Sequence, residues 1–438
     1  MPHLPTLAVL STLRRERWRR FREMSDIQWL DESALRELHD RKLAALLRHA
    51  VRHVPRYRDL GAARLDEFPL VDKLVMTAEQ ASFLSDEAGP EDRLASSTGG
   101  SSGILFKFYT DARSREIRRA CDMLGRTWAG WEIGDRQALL WGHRGDVSAT
   151  ETARNRLANE LLHRSITLNA FTMDEATVDG FIRRLQSYRP RLLVGYASAL
   201  TFLAATMSRR GIAGVHPRGI ISSAESLSDE QRGIIEAQFG CRVSNRYGSR
   251  EFAPVAQQCE EAAGFHVFAD RVHVEVLRAD GSPCTPGERG EITVTDLDNF
   301  AMPFIRYRTG DLAIATDERC RCGRGLPLIA RVEGRVSELI VGLNGQVYAC
   351  PGPTFWTAGV TGIHQLQIYQ GSRERVELRV VPGPQWSEES ARGLTARFRE
   401  LLGDVQVEIV MRDEIPVAAS GKYRFAISEV SPFSRPNG

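Results

Sequence analysis

The sequence lacks the features that define several large protein classes. It contains no apolar run long enough to span a membrane and no signal peptide with a cleavage site, so we expect no transmembrane segment. Its formal net charge is only +2 over 438 residues, which argues against a nucleic-acid partner held by bulk electrostatics. Internal repeats and low-complexity tracts are also absent, and 42% of the residues are hydrophobic, as expected for ordinary folded domains.

Cysteine is scarce as well, with seven residues in the whole chain. An odd number of cysteines in a large chain without a secretory signal argues against a disulfide framework. We therefore expect reduced thiols and a cytoplasmic location. The length of the chain predicts two or three domains.

A stretch rich in glycine and hydroxyl side chains stands out from this ordinary composition. It consists of Ser97, Thr98, Gly99, Gly100, Ser101, Ser102 and Gly103. Glycine tolerates positive φ and has no Cβ, so such a loop can turn its N–H groups and hydroxyls around a polyphosphate. It is not a Walker A loop, because Ile104 and Leu105 follow it in place of that motif's lysine ending. A flexible linker is the alternative, but the apolar strand predicted over 105–109 argues for a fixed loop.

From residue 94 to residue 248, predicted strands alternate with predicted helices. The strand-like apolar runs include 138–141, 192–194, 219–222 and 241–245. Capping boxes at 172–175 and 228–231 mark the predicted starts of two of the helices. This alternation predicts an α/β fold with a mainly parallel sheet flanked by helices.

The composition changes after residue 248. Strands joined by Gly, Pro and Asp turns predict a β-rich subdomain over about 255–335. Further strand-like segments around a helix predicted over 388–402 indicate a small α+β domain. We therefore predict a large N-terminal domain over 1–335 and a C-terminal α+β domain over 336–438.

Short polar motifs follow several of the predicted strands or lie near the C-terminus. They are Ser222-Ser-Ala-Glu225, Asn245-Arg-Tyr-Gly-Ser-Arg-Glu251, Ile305-Arg-Tyr-Arg-Thr-Gly-Asp311, Gly334-Arg-Val-Ser-Glu338 and Ser420-Gly-Lys-Tyr-Arg424. Ligands of open α/β sheets bind beyond the carboxyl ends of the strands, so the motifs together indicate a ligand site. Each motif taken alone is better explained as a turn, a helix cap or a solvated carboxylate.

The set of these motifs and their order along the chain resemble those of the adenylate-forming superfamily. Within it, they resemble the branch of phenylacetate–coenzyme A ligases and capsule-biosynthesis adenylating proteins. Further segments shared with that branch are Arg48-His-Ala-Val-Arg-His-Val-Pro-Arg-Tyr57, Trp141-Gly-His-Arg144, Cys320-Arg-Cys-Gly-Arg-Gly-Leu-Pro327 and Ser420-Gly-Lys-Tyr-Arg-Phe425. The resemblance extends from about residue 48 to residue 430. It implies that the N-terminal domain is an adenylate-forming domain and that the C-terminal domain is mobile.

The resemblance implies an ATP site made of the hydroxyl–glycine loop and of residues at strand ends. These residues are Ser97, Thr98, Gly99, Gly100, Ser101, Ser102, Gly103, Ser223, Ala224, Glu225, Tyr247, Gly248, Asp311 and Arg335. Thr98, Ser101 and Ser102 would grip the β- and γ-phosphates. Asp311 would bind the ribose hydroxyls, and Arg335 would help to fix ribose or phosphate. The residues that would line the adenine and α-phosphate site are Ser223, Ala224, Glu225 and Tyr247.

The same resemblance implies three catalytic residues. Glu251 would hold Mg²⁺, and Lys422 would bridge the attacking carboxylate and the α-phosphate. His143 would lie near the acyl carboxylate, although a structural histidine with its hydrogen bonds satisfied is an equal alternative. The family's hinge position, two residues after Arg335, is Ser337 here instead of Asp or Lys, which changes the control of domain rotation but removes no catalytic group.

Four residues around the β-rich segment have the side chains of a metal site. Cys259, His266, Cys320 and Cys322 would make a tetrahedral Cys₃His set suited to a structural Zn²⁺. Scattered buried cysteines are the alternative, because the spacing differs from that of a zinc finger. The resemblance favours zinc, since members of that branch carry it at matching residues.

The predicted function is that of an ATP-dependent carboxylic-acid ligase. It forms an acyl-adenylate and pyrophosphate from a small carboxylic acid, and then transfers the acyl group to coenzyme A. Transfer to an amine, giving an amide, is the nearest alternative. A non-catalytic nucleotide-binding protein is a third, which the presence of Glu251, Asp311, Arg335 and Lys422 argues against.

Overall fold

The computed structural model describes residues 4–61, 64–98, 106–142, 160–161, 163–173, 176–335, 339–343, 346–349, 356–357, 359–415 and 425–430. Its helices are α1 (Leu4–Thr12), α2 (Arg15–Ile27), α3 (Glu32–His53), α4 (Lys73–Ala78), α5 (Ala112–Trp128), α6 (Val178–Tyr188), α7 (Ala197–Arg209), α8 (Asp229–Phe239) and α9 (Glu388–Leu402). Its strands are β1 (Leu94–Ser97), β2 (Lys107–Thr110), β3 (Gln137–Trp141), β4 (Ser165–Asn169), β5 (Leu192–Gly195), β6 (Gly219–Ser223), β7 (Val243–Ser249), β8 (Ala253–Gln258), β9 (Phe265–Val267), β10 (Val272–Leu277), β11 (Arg289–Asp296), β12 (Tyr307–Ala315), β13 (Leu328–Arg335), β14 (Leu339–Val341), β15 (Val347–Ala349), β16 (Ile363–Gln370), β17 (Arg375–Pro382), β18 (Gln406–Met411) and β19 (Ala426–Ser428). Within these ranges, no helix is both long enough and apolar enough to cross a membrane.

Eleven strands form one continuous sheet, in the order β10-β11-β12-β13-β9-β8-β7-β6-β5-β3-β4. The five strands from β4 to β7 pair in parallel. In the rest of the sheet, from β7 through β8, β9, β13, β12 and β11 to β10, all neighbouring strands are antiparallel. The predicted α/β class is confirmed, and the β-rich segment extends the same sheet because β8 pairs directly with β7.

The central parallel strands are covered on both faces. Every residue of β5 and β6 is buried. A strand covered on both sides needs apolar or small residues at successive positions, which explains the continuous apolar runs in the sequence. Gly219 begins β6, and a Cβ there would lie 1.9 Å from the carbonyl oxygen of Ala129, so the strand passes directly beneath the end of α5.

Helix α5 shows how the helices attach to the sheet. Ile117, Leu124 and Trp128 are buried and recur at helical spacing, so they form one apolar face. The helix contacts β8 and also α2, where Arg17 forms an ion pair of 2.9 Å with Glu116. The amino-terminal helices are therefore fixed to the antiparallel part of the sheet.

The carboxyl-terminal part of the chain has a smaller sheet with its own core. Its strand order is β18-β17-β16-β19, and α9 packs against it through residues such as Phe398. This helix spans the predicted residues 388–402 and begins at a cap in which Ser387 accepts from the Ser390 N–H at 3.2 Å. The predicted domain boundary falls beside residues 336–338, which lie outside the described residues, so the boundary stays a prediction.

The two predicted capping boxes have different outcomes. Helix α8 begins at its predicted box, where Ser228 and Gln231 exchange hydrogen bonds of 3.1 and 3.2 Å. Helix α6 starts at Val178 and not directly after the predicted box at 172–175, of which residues 174–175 lie outside the described residues. Thr172 belongs to a short 3₁₀ turn instead, and its hydroxyl donates to the carbonyl of Asn169 at 3.0 Å. A hydroxyl bonded backwards in this way competes with helix capping.

Candidate active site

Two of the predicted site residues, Tyr247 and Asp311, meet where β7 and β12 approach each other. The hydroxyl of Tyr247 donates a hydrogen bond of 2.8 Å to Asp311 Oδ2, and both residues are only 9% exposed. Thr309 supports this arrangement, because its hydroxyl accepts from the N–H of Asp311 at 3.1 Å. Asp311 lies directly opposite Arg335 in the pairing of β12 with β13. Asp311 and Arg335, the two residues predicted to bind ribose or phosphate, are therefore adjacent on neighbouring strands of the sheet.

Glu251 lies in the turn between β7 and β8, close to the same place. It is 9% exposed, and its Oε1 accepts a hydrogen bond of 3.3 Å from the hydroxyl of Tyr307. Burial, and then the neighbouring Glu251 carboxylate, raise the pKa of Tyr307 far above its ordinary value, so the phenol remains a donor. A carboxylate can accept several contacts, and Glu251 therefore keeps the capacity to bind a hard cation such as Mg²⁺.

Gly248 sets the shape of the turn that carries Glu251. The pairing of β7 with β8 changes register between Tyr247 and Gly248, which is the mark of a β-bulge. A Cβ at residue 248 would lie 2.2 Å from the carbonyl oxygen of Ala253, so only glycine fits. Ala253 has a φ of 57°, in the left-handed region that residues with a side chain seldom adopt. The turn is thus held in a strained conformation beside the site.

The end of β6 supplies three more of the predicted residues. The hydroxyl of Ser223 donates to the carbonyl of Arg246 on β7 at 3.3 Å. Ala224 follows with a φ of 68°. The Glu225 carboxylate accepts from the N–H of Ser198 at 2.8 Å, in the first turn of α7. Negative charge is favourable at a helix N-terminus, so Glu225 stabilises α7 while it stands beside the predicted nucleotide site.

The described start of the hydroxyl–glycine loop lies near Glu251. Thr98 donates its N–H to the carbonyl of Phe106 at 2.9 Å, and its hydroxyl is buried without a hydrogen-bond partner among the described residues. Arg250 donates to the carbonyl of Ser97 at 3.1 Å, which ties the β7–β8 turn to the loop. The predicted site residues that lie outside the described residues are Gly99, Gly100, Ser101, Ser102, Gly103, His143 and Lys422.

The four predicted metal ligands lie together near β8, β9 and the start of β13. Cys259 Sγ is 3.6 Å from Cys320 Sγ, and Cys322 Sγ is 3.3 Å from His266 Nε2. All four ligand atoms lie within 4.8 Å of one another. A tetrahedral zinc ion with Zn–S bonds of about 2.3 Å would place its sulfur ligands about 3.8 Å apart. The arrangement of these side chains therefore fits a tetrahedral Zn²⁺.

The protonation of this cluster also suits a metal. Burial lowers the pKa of His266 to about 4, and its Nδ1 lies 3.4 Å from the carbonyl of Leu326, so a neutral ring can direct the Nε2 lone pair into the cluster. Burial raises the pKa of Cys259 to about 12. Burial also acts to raise the pKa of Cys322, but hydrogen bonds from Arg324 outweigh it and lower that pKa. Burial raises the pKa of Cys320 as well, so metal binding would displace a proton from both Cys259 and Cys320.

Two residues at the site were not singled out from the sequence. Tyr307 and Arg250 both stand inside the polar motifs, but their contacts with Glu251 and Ser97 join segments that are far apart in the chain. A buried tyrosine hydroxyl needs a hydrogen-bond partner. That rule, applied to the 305–311 motif, would have marked Tyr307 as a neighbour of a polar group.

Known proteins resemble this chain in both sequence and structure, although no family model matches it. A phenylacetate–coenzyme A ligase of Thermus thermophilus is 25% identical over 382 residues, which cover 81% of this chain and 83% of that protein. Protein CapK of Staphylococcus aureus is 27% identical over 223 residues, which cover 49% of this chain and 46% of CapK. A crystal structure of 2-hydroxyisobutyryl-CoA ligase in the postadenylation state, in complex with R3-HIB-AMP, has a TM-score of 0.69 at 17% identity. The structural alignment covers 93% of this chain and 92% of the ligase chain, which confirms the predicted fold.

Proposed function

We propose that this chain, a relative of the phenylacetate–coenzyme A ligases within the adenylate-forming superfamily, is an ATP-dependent acid–thiol ligase. In its first step a carboxylate oxygen attacks the α-phosphate of ATP. The bond to the β-phosphate breaks, and an acyl-adenylate and pyrophosphate form. In the second step the thiol of coenzyme A attacks the acyl carbon, its proton is lost, and AMP leaves.

The observation that carries this proposal is that β12 connects the two carboxylates, because Asp311 of this strand accepts from Tyr247 and Tyr307 of the same strand donates to Glu251. The first step brings two anions together, so its catalysis is mainly positioning and charge stabilisation. Asp311, oriented by Tyr247, offers a carboxylate to the ribose hydroxyls. Glu251 offers a second carboxylate to Mg²⁺, which would neutralise the departing pyrophosphate when bound.

The remaining roles in the proposal belong to residues around these two carboxylates. The hydroxyl of Thr98, which is buried and has no hydrogen-bond partner among the described residues, is proposed to donate to a phosphate oxygen. Arg335, opposite Asp311 on the neighbouring strand, would contribute positive charge near the ribose or the phosphates. Lys422 and His143 are proposed to act on the acyl carboxylate and the α-phosphate, as their motifs imply.

The decisive experiment is acid-dependent exchange of pyrophosphate into ATP, with a panel that includes phenylacetate and 2-hydroxyisobutyrate. We expect exchange with at least one acid, because formation of the adenylate is reversible. Adding coenzyme A should then release AMP and consume the free thiol. Release of AMP that depends on an amine instead would identify an amide ligase. Nucleotide binding without exchange for any acid would indicate a non-catalytic protein.

We also propose that Cys259, His266, Cys320 and Cys322 hold one structural Zn²⁺ per chain. The support is the fit of the four ligand atoms to a tetrahedron. A closed site of this type contributes folding energy, so Cys322→Ser should lower the thermal midpoint and the zinc content without altering the preference among acids. Cys241→Ser is the matched control, because Cys241 lies outside the cluster. Absence of zinc from untagged protein purified without chelators would contradict the proposal.

A further inference from the structure

A group of three potential metal ligands lies far from the cysteine cluster in the sequence. His49 and His53 are one turn apart on α3, and Glu87 faces them from the chain segment that follows residues 80–83. One ligand atom of each residue lies within 4.8 Å of the others. Residues four apart on a helix are neighbours on its surface, so the two imidazoles share one face.

The hydrogen bonds of His49 define the direction of its free lone pair. Its Nε2 lies 3.0 Å from the carbonyl oxygen of Phe300, and a carbonyl can only accept, so Nε2 carries the proton. The other nitrogen, Nδ1, lies 3.1 Å from Glu87 Oε2. In a neutral ring this pairs a lone pair with a carboxylate oxygen, an arrangement that is repulsive unless a cation or a second proton lies there.

The ring of His49 is largely enclosed by protein. Its side chain is only 9% exposed and meets the ring of Phe300 edge-on at 4.9 Å. The ring of His53 lies tilted against that of His49, with the ring centroids 5.0 Å apart. A metal ion would satisfy both Nδ1 and the carboxylate without charging the ring.

His53 is held as metal-binding histidines usually are. Its Nδ1 lies 3.1 Å from Asp86 Oδ1, and Asp86 is itself bound by Arg58. A histidine that donates one nitrogen to a carboxylate has the other free for a metal, with its orientation fixed. The N–H of Asp86 also donates to the carbonyl of His53 at 2.8 Å, so the helix and the segment carrying Glu87 are joined at this point.

We propose that His49, His53 and Glu87 form a binding site for a divalent transition-metal ion, with water in the remaining positions. Two imidazoles and one carboxylate suit Zn²⁺, Ni²⁺ or Co²⁺, whereas Mg²⁺ and Ca²⁺ prefer ligand sets made of oxygen. Glu87 is 63% exposed, so the ion can exchange with the solvent. The site is distinct from the proposed nucleotide site and from the cysteine cluster.

The test is a calorimetric titration of untagged, zinc-replete protein with Ni²⁺ and, separately, with Zn²⁺. The wild-type chain should bind one equivalent of each ion beyond any zinc already held. Both His53→Gln and Glu87→Gln should lose that equivalent or bind it at least about tenfold more weakly, and Asp86→Asn should weaken it about tenfold by removing the partner of His53. His364→Gln is the control, because His364 is exposed on β16 and belongs to no potential metal cluster among the described residues.

The alternative is a charged ion pair between protonated His49 and Glu87, with no ion bound. In that case Ni²⁺ would show no additional equivalent, or would bind with the same affinity to wild-type, His53→Gln and Glu87→Gln proteins. Either result overturns the proposal. The substituted side chains are partly or fully exposed, so circular dichroism should show that the variants remain folded.

Discussion

At the scale of single residues, the hydrogen bond from Tyr247 to Asp311 is the contact on which the proposed nucleotide site depends most directly. Tyr247→Phe removes the donor and leaves the ring in place. A hydrogen bond to a charged group contributes about 1.5–3 kcal/mol, so we expect KM for ATP in the exchange reaction to rise roughly tenfold or more. Steady-state exchange at varied ATP concentration measures this change.

The control for this prediction is Tyr369→Phe. Tyr369 also donates to a carboxylate, Glu429, at 2.7 Å, but it lies in the small carboxyl-terminal sheet. Its removal should leave KM for ATP unchanged. An unchanged KM in Tyr247→Phe as well would mean that Asp311 does not contact the nucleotide through this arrangement.

At the scale of elements, the bulge between β7 and β8 is where strand pairing and the site depend on each other. Gly248→Ala would force a Cβ to 2.2 Å from the carbonyl oxygen of Ala253. Relief of such an overlap typically costs about 1–3 kcal/mol, and it would move the turn that carries Glu251. We expect a lower free energy of unfolding in urea together with reduced exchange activity.

Gly233→Ala is a matched substitution on α8. Among the described residues, nothing beyond the neighbouring residues and backbone of its own helix lies within 4 Å of the added Cβ, and glycine in a helix is less stable than alanine by roughly 0.5–1 kcal/mol. This variant should therefore be as stable as the wild-type protein or slightly more stable. If Gly248→Ala behaves in the same way, the bulge does not constrain the turn.

A pair of histidines joins α3 to β10 and makes this contact sensitive to acid. His39 Nε2 and His273 Nδ1 are 3.1 Å apart. Burial lowers the pKa of His273 to about 4 and also lowers that of His39; the charged groups nearby are Asp40, Lys42 and Arg306. An unfolded histidine has a pKa of about 6.5, so between about pH 6.5 and 4 the unfolded chain binds more protons than the folded one. The contribution of the neutral histidines to the free energy of unfolding therefore has its full value above about pH 6.5 and decreases on acidification.

The expected loss from His273 is up to about 1.4 kcal/mol per pH unit within that window. Urea unfolding at pH 7 and pH 5 should show a smaller difference between the two pH values in His273→Gln than in the wild-type protein. His364→Gln should keep the wild-type difference, because His364 is exposed. Equal pH dependence in all three proteins would show that the histidine pair does not resist protonation.

The sequence predicted most of the elements but not all of them. Apolar runs with clear ends gave β5, β6 and α9 to within a residue or two, because burial on both faces or one helical stripe leaves a simple pattern. Strand β8 was not predicted, since Pro254 and two glutamines obscure it. The structure shows why the proline is tolerated, because Pro254 pairs with Gly248 at the bulge, where the ladder is already interrupted.

At the scale of the whole molecule, the proposed reaction needs groups from distant parts of the chain. The motifs predicted that Tyr247, Glu251 and Asp311 would belong to one site beyond strand ends, whereas Asp311 lies in the middle of β12. They could not predict that Tyr247 would touch Asp311, because three strands lie between β7 and β12 in the sheet. Contacts between strands that are this far apart depend on the curvature of the entire sheet, and local sequence patterns do not predict that curvature.

Substitution of Lys422 tests whether this residue acts in adenylation but not in acyl transfer. In the proposed first step, its charge offsets the approach of the carboxylate to the α-phosphate. Lys422→Ala should therefore lose on the order of 3–4 kcal/mol of transition-state stabilisation, or roughly 10² to 10³ in the rate of adenylation. The same variant, given pre-formed acyl-adenylate and coenzyme A, should transfer the acyl group at close to the normal rate.

The comparison within one variant serves as the control, since both half-reactions use the same protein. Stopped-flow or quenched measurements of each half-reaction would separate them. An equal decrease in both would identify Lys422 as a residue of the fold or of general binding, and would contradict the proposal that Lys422 acts in adenylation alone.

Strand β13 lies between β9 and β12 in the sheet, although it follows both in the chain. While the protein is being made on a ribosome, β8 and β9 and the β10–β12 meander can pair before residues 328–335 have emerged. Until then β9 and β12 each present an open edge on which another nascent chain could add a strand. Cys320 and Cys322 emerge just before β13 and meet Cys259 and His266 as the gap closes. The proposed zinc ion would join the segments on either side of this gap, so metal supply during synthesis would bear on how long the edges of β9 and β12 stay open.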